Sequence, residues 1–262
     1  MDVTTPSLPL TDAHAHLSCD DNALEELAYR REHAVATCLS IATLAEWERA
    51  NDLLASADAD EDAPLCVSFG IHPWEAAAHE PSECVEAYRR CAAIGEIGLD
   101  DLWCDVPLPR QISVFEQQLQ WAADLHKPIV LHTKGQEARI AAMVTDFPEP
   151  VLVHWYSGPL DIFERFAEAA CSFTLGPDCS EEDELGHALL CALSPERILT
   201  ETDGMEGILW AAGQKTGSTS DLSLIETTLS RTTLALARAR NADPHIMACQ
   251  LRKNFELFYA LN

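Results

Sequence analysis

Four histidines and two carboxylates stand at or near the ends of short apolar runs. Thr11-Asp12-Ala13-His14-Ala15-His16 follows Leu8–Leu10, and Glu96 lies inside Ala92–Ile97. His132 follows Pro128–Leu131, His154 follows Val151–Val153, and Glu201-Thr202-Asp203 follows Arg197–Thr200. Side chains alternate along a strand, so His14 and His16 point the same way and can reach one metal ion. A carboxylate within an apolar strand, as at Glu96, is costly unless it is paired or bound to a cation. Each histidine alone reads as an ordinary partly buried side chain, whereas five strands ending this way read as a site. The set His14, His16, Glu96, His132, His154 and Asp203 offers four imidazoles and two carboxylates. Such mixed ligation suits Zn, Mn, Fe or Ni more than Ca. Six ligands exceed the three that a catalytic zinc usually takes, so two divalent ions bridged by Glu96 are expected, with a single ion as the smaller alternative. The chemistry is then hydrolysis by activated water, with Asp203 and Glu96 as the catalytic carboxylates and Asp203 taking the proton of the water.

The elements that must position these residues alternate in type. Eight short runs read as strands: Leu8–Leu10, Ala34–Ile41, Leu65–Ile71, Ala92–Ile97, Pro128–Leu131, Val151–Val153, Cys171–Thr174 and Arg197–Thr200. They are apolar throughout, as in a parallel sheet covered by helices. Between them Ile112, Phe115, Leu119, Ala122 and Leu125 recur at helical steps, and Asp243-Pro244 reads as a helix start. This order predicts an α/β fold, a TIM-type (β/α)8 barrel forming one domain over residues 1–262, with a doubly wound open sheet as the alternative. Gly204–Asp221, rich in Gly, Ser and Thr, reads as a functional loop over the site. Asp58, Asp60, Glu61 and Asp62 read as a solvated loop, and Glu181–Glu184 as an acidic helix start after Ser180.

Composition narrows the partners. Lys and Arg total 17 against 43 Asp and Glu, a net charge of −26. No broad basic face can be drawn, so extended duplex binding is not expected. The 10 cysteines form no C-x-x-C pair and sit largely in apolar runs, as expected for reduced thiols in a cytoplasmic protein. The N-terminus lacks the features of a signal peptide, and no apolar run approaches a membrane span.

Seven segments together resemble the TatD family of metal-dependent deoxyribonucleases: Asp12-Ala13-His14-Ala15-His16-Leu17, Gly70-Ile71-His72-Pro73, Gly95-Glu96-Ile97-Gly98-Leu99-Asp100, Leu131-His132-Thr133-Lys134, His154-Trp155-Tyr156-Ser157-Gly158, Glu201-Thr202-Asp203 and Asn254-Phe255-Glu256-Leu257-Phe258. They come in family order and cover nearly the whole chain. The resemblance implies a TIM-type barrel, a centre of one or two divalent metals (Zn, Mg, Mn or Ni), and phosphodiester hydrolysis at a DNA strand end. It implies His14, His16, Glu96 and Asp203 around one ion and Glu96, His132 and His154 around the other. His72, Lys134, Trp155 and Tyr156 are the expected substrate contacts. Trp210 is a further candidate for stacking bases, and Arg110 matches a family arginine. Three places depart from the family pattern: Gly204-Met205-Glu206 after Asp203, Lys134 where Arg is frequent, and Trp155-Tyr156 where a small residue and Phe are common. They surround the substrate rather than the metals. They leave open an amidohydrolase-like enzyme acting on a small phosphoester, lactone or amide, and a non-catalytic metal-binding protein.

Overall fold

A computed structural model describes residues 8–17, 22–56, 63–214 and 221–261. Among them eight strands form one parallel sheet in chain order: β1 (Thr11–Ala15), β2 (Ala36–Ile41), β3 (Leu65–Phe69), β4 (Ala93–Asp100), β5 (Ile129–Lys134), β6 (Val151–Val153), β7 (Ser172–Leu175) and β8 (Ile198–Thr200). Ten helices accompany them: α1 (Ala23–Glu32), α2 (Leu44–Ser56), α3 (Val85–Arg90), α4 (Leu108–Leu125), α5 (Glu137–Val144), α6 (Leu160–Glu168), α7 (Glu184–Cys191), α8 (Gly204–Ala211), α9 (Ser223–Ala239) and α10 (Pro244–Phe258). This is the α/β barrel, not the doubly wound sheet.

Larger apolar residues such as Ile41, Phe69, Ile97, Phe115 and Phe173 form the main core cluster. A second cluster joins Ala13, Ala36, Cys38, Ala93, Val130 and Leu152 to Phe255, Phe258 and Tyr259 at the end of α10. The Tyr259 hydroxyl donates to the Ala13 carbonyl at 2.6 Å, so the C-terminal helix is tied to β1.

No regular ladder joins β8 to β1; side chains and loop amides close that seam. The Thr200 hydroxyl donates to the Thr11 carbonyl (2.7 Å), and the Asp203 amide to the His14 carbonyl (3.0 Å). Asp12 accepts from the Thr202 amide and hydroxyl at 2.8 and 2.6 Å. Its carboxylate is fully buried and also accepts from Arg30 at 2.7 Å, while the same guanidinium reaches Glu26 at 3.0 and 3.1 Å.

The strand bounds differ from the sequence expectation in a consistent way. β1 occupies Thr11–Ala15, the His-x-His end of the expected first strand, and leaves out Leu8–Leu10; buried partners make Asp12 tolerable in its interior. β4 and β5 run on to Asp100 and Lys134, since Gly98, Leu99 and Asp100 still pair with His132, Thr133 and Lys134. At Gly98 a Cβ would stand 2.0 Å from the His132 carbonyl oxygen, so the close approach of these strands requires glycine. The expected loop from Gly204 begins instead as α8, and α7 is capped by Asp183, which accepts from the Gly186 amide, rather than by Ser180. The acidic stretch Asp58–Asp62 and the Ser/Thr cluster at 216–220 lie outside the described residues, as does Cys19. The other cysteines are free; Cys38, Cys66, Cys84, Cys91 and Cys171 are buried, but Cys191 and Cys249 are exposed. Among the described residues no helix is long and apolar enough to cross a membrane.

Arg30→Met leaves the Asp12 and Glu26 carboxylates buried without their cation. Breaking a buried pair in this way costs ~3–5 kcal/mol, to be read as a lowered midpoint in urea unfolding. Arg30→Lys recovers only part of it, because an ammonium cannot span both carboxylates as the guanidinium fork does.

Candidate metal centre

The C-terminal ends of β1, β4, β5, β6 and β8 bring the six expected ligands together around the buried Glu96 carboxylate. Its two oxygens face different partners. Oε2 lies 3.4 Å from His14 Nε2 and 3.5 Å from His16 Nε2. Oε1 lies 2.6 Å from His132 Nδ1 and 2.9 Å from His154 Nε2.

On the Oε2 side the atoms stand further apart; burial works against charge on His16, but Glu96 and Asp203 outweigh it and raise its pKa to about 9. His14 Nε2 and His16 Nε2 are 3.3 Å apart, and Asp203 Oδ1 is 3.5 and 3.6 Å from them. His14, His16 and Glu96 thus form one set close enough to share an ion, and His14, His154 and Asp203 form another. Ligand bonds of ~2.0–2.1 Å in a tetrahedral site give edges of about 3.3–3.4 Å, close to those spacings. Charge-assisted hydrogen bonds would be shorter, at about 2.7–2.9 Å. Asp203 Oδ1 is buried without a hydrogen-bond partner, a costly state for a carboxylate oxygen unless a cation meets it. Asp203 is held there by a left-handed turn: φ is +58° at Asp203 and +79° at Gly204. A Cβ on Gly204 would stand 2.3 Å from the His16 carbonyl oxygen, which explains the departure from the family pattern at that position.

On the Oε1 side the contacts are hydrogen bonds. Burial works against charge on His154 and His132. The Glu96 and Glu201 carboxylates outweigh it for His154, and Glu96 with Asp100 for His132, so both rings are pushed above the ordinary imidazole range. Burial likewise opposes ionisation of Glu96, but the charges of His154, His72 and His132 hold it well below the carboxylate range.

Each of these imidazoles is backed by a second acid. His132 turns Nε2 to Asp100 Oδ2 at 3.1 Å, and His154 turns Nδ1 to Glu201 Oε2 at 3.3 Å. Such partners fix ring orientation and raise ligand basicity. Asp100 is itself fully pinned. It accepts from the Leu102 and Trp103 amides at 2.9 Å and from the Trp74 indole at 2.8 Å. Burial opposes its charge, yet the bonds from His132, Trp103 and Trp74 keep it far below the carboxylate range. Asp100 lay inside a recognisable motif but carried no expected role.

His72 joins the centre, with Nε2 3.2 Å from His132 Nδ1 and 3.6 Å from Glu96 Oε1. Burial lowers its pKa, only partly opposed by Glu96. Its Nδ1 accepts the Trp74 amide at 3.2 Å, which leaves the ring proton on Nε2, aimed at the centre. With Glu96 and His132 it forms a third set of atoms close enough to share an ion. Two glutamines seven residues apart on α4 position this region. Gln118 makes paired bonds to the Ile71 backbone at 2.7 and 3.0 Å, and Gln111 to the Asp100 backbone at 2.8 and 2.9 Å. Their two-turn spacing was a signal that hydropathy alone does not register.

The remaining expected contacts divide. Lys134 donates to the Ser157 hydroxyl at 2.6 Å and lies 5.1 Å from the Trp103 ring centroid. Trp155 is half-buried, ties its indole to Asp178 at 2.7 Å, and meets Trp210 edge to face. Tyr156 does not face the mouth. Its ring packs among Phe163, Phe166 and Phe173 and its hydroxyl donates to the Pro159 carbonyl at 2.7 Å, so it serves the core. Arg110 lies in the first turn of α4 and binds the Ala76 and His79 carbonyls and Glu80, bracing the segment after His72.

A family model described as TatD related DNase matches residues 11–260. The human 3'-5' RNA nuclease TATDN2 is 32% identical over 149 residues, covering 52% of this chain and 19% of that protein. The 3'-5' ssDNA/RNA exonuclease TatD of Rahnella sp. is 32% identical over 158 residues, covering 55% of this chain and 59% of that protein. These matches therefore span less than two thirds of either relative. Among solved structures, the TatD homolog YjjV of Escherichia coli superposes with a TM-score of 0.76 over 97% of this chain and 99% of that one, at 21% identity, a likeness of fold.

Two outcomes test the centre. Loading with Zn²⁺ near pH 7 releases protons, because His154 and His132 are protonated above the ordinary range and must become neutral to ligate; calorimetry in buffers of different ionisation enthalpy reads this release. Affinity therefore falls as pH is lowered. Asp100→Asn, which weakens the hold on His132, lowers metal affinity by ~10–100-fold in a chelator competition.

Proposed function

As the chain belongs to the TatD related DNase family, we propose that it is a divalent-metal-dependent phosphodiesterase acting at nucleic-acid strand ends, as the names of the Rahnella and human relatives describe for those proteins. The observation that carries this reading is the approach of both His14 and His16 to Glu96 and to Asp203, at 3.4–3.6 Å. These four residues would hold one ion. Glu96, His132 and His154 would hold a second, with Zn, Mg, Mn and Ni as the candidate metals. Bound divalent cations supply charge neutralisation at a phosphoryl oxygen and lower the pKa of water from about 15.7 toward ~7.

The chain's own residues do the rest. Asp203, fixed by the αL turn, accepts the proton of the attacking water as the new P–O bond forms and the bond to the leaving strand oxygen breaks. Glu96 holds both ligand sets in register. His72 donates its Nε2 proton toward a phosphoryl oxygen, and Lys134 offers a point charge on the same side. Trp155 braces the mouth. Nine free cysteines among the described residues support a reducing, cytoplasmic setting.

Asp203→Asn keeps the metal but lowers turnover of labelled single-stranded DNA or RNA by ~10²–10⁴-fold. His14→Ala and Glu96→Ala lose both metal and cleavage. The assay runs single strands, duplexes, small phosphodiesters, lactones and amides in parallel with Mg²⁺, Mn²⁺ and Zn²⁺. Turnover confined to lactones or amides, or stoichiometric metal with no turnover, overturns the proposal.

A further inference from the structure

Three of the six tryptophans are exposed, and all three border the metal centre. Trp74, Trp103 and Trp210 are 52%, 56% and 58% exposed. Each is tied to a residue of the site. Trp74 donates its indole proton to Asp100 and meets the His72 ring edge to face at 5.3 Å. Trp103 donates its amide to Asp100 and carries the Lys134 ammonium against its ring. Trp210 lies on α8, the helix that starts at Asp203, and meets Trp103 and Trp155 at 6.5 and 5.4 Å between centroids. Exposed aromatic surface costs free energy in water. At Trp74 and Trp103 it is held by hydrogen bonds to the same acid that orients a ligand histidine.

We propose that Trp103 and Trp210, with Trp74 on the opposite side of Asp100, form a stacking rim for unpaired bases of a strand whose phosphate enters the centre, and that this rim selects single strands over duplexes and over small esters. This deepens the phosphodiesterase reading and rests on it for the position of the phosphate. Three features fix the occupant as nucleic acid without secondary structure. The rings offer flat π faces, which every base can match without sequence preference. Lys134 sits beside Trp103, placing one cation where the backbone between a stacked base and the centre would pass. The chain's charge of −26 gives no broad basic face for a duplex, whose bases in any case have their faces covered by neighbours. Among the expected stacking residues, Tyr156 is excluded by burial and Trp155 becomes the support on which Trp210 leans.

The test compares hexathymidylate with hexamers carrying abasic residues at the last two positions of one end or the other. All are phosphorothioate-linked so that binding can be read apart from cleavage. Affinity in Mg²⁺ is taken from quenching of intrinsic tryptophan fluorescence and checked by calorimetry. Stacking on an aromatic side chain is worth about 5- to 150-fold per base. The wild-type chain is therefore expected to favour the base-bearing hexamer at least ~10-fold over one abasic form. Trp103→Ala and Trp210→Ala each shrink that ratio, the double variant brings it near 1, and Trp210→Phe restores most of it. Leu257→Ala, an exposed apolar residue on α10, serves as the control and keeps the wild-type ratio. An unchanged ratio in the double variant, or no base dependence in the wild type, overturns the rim. Base-dependent binding without cleavage of any strand sinks the phosphodiesterase reading and leaves the rim standing; cleavage without base dependence does the reverse.

Discussion

A single buried carboxylate sets the terms for the upper half of this barrel. Glu96 sits on β4, buried, and among the described residues its ion pairs are with histidines alone. A charge so placed is tolerated only if compensating charge is brought to it. The surrounding strands bring imidazoles, which can be positive when protonated or serve as neutral ligands to a cation. Each alternative requires the rings to be aimed, and aiming them requires further buried acids. Asp100 and Glu201 therefore follow from Glu96 as a second layer. Asp100 in turn captures two loop amides and an indole, so the rim of the mouth is shaped by the same chain of electrostatic necessity.

The seam between β8 and β1 obeys a related logic. The ladder gives out there, and Asp12 closes the gap by accepting from Thr202 while Arg30 neutralises it from α1. The residues on either side of this clamp are His14 and Asp203, two of the four proposed to hold one ion. The Asp203 amide donates to the His14 carbonyl, so strand closure and ligand spacing are one structural fact. Charge is thus buried on both sides of the sheet at this point. The seam is where the barrel is least supported by backbone hydrogen bonds and most dependent on side chains.

How much of this is legible in the sequence depends on whether the governing interaction is local. The eight-strand alternation is, because apolar runs and helical spacing are short-range patterns, and His-x-His on one strand is a local signal too. The bounds of β1, β4 and β5 are not. Asp12 belongs in a strand only because Arg30 and Thr202 arrive from elsewhere, and Asp100 continues β4 only because β5 runs beside it. The same holds for substrate contacts. Tyr156 and Trp155 are neighbours in a suggestive segment, yet three phenylalanines from α6 and β7 draw one ring inward while the other stays at the mouth. Trp74 and Trp103 carry no sequence signal of their role, since their placement is dictated by Asp100 rather than by their own neighbours. Gly204-Met205-Glu206, glycine-rich and read as loop, is helical because Gly204 meets a steric demand from His16 and the apolar residues after it pack inward.

The strongly negative charge and the proposed chemistry on a polyanion are reconciled by geometry rather than by composition. Repulsion from 43 acidic residues acts over about a Debye length, roughly 8–10 Å in physiological salt, and falls mainly on parts of a ligand lying along the outer surface. At the mouth the balance differs. Glu96 and Asp203 contribute two negative charges to a site whose donor spacing calls for divalent cations, and Lys134 adds one positive charge beside it. A rigid duplex must cross the acidic surface to reach that point; a flexible end need not. On the proposed reading a short strand would place one phosphate at the cations held there and lean its bases on uncharged aromatic rings, which neither attract nor repel the backbone. An aromatic rim is therefore the form of affinity that an acidic barrel can add without altering its surface charge, and it discriminates in the same direction as the charge does.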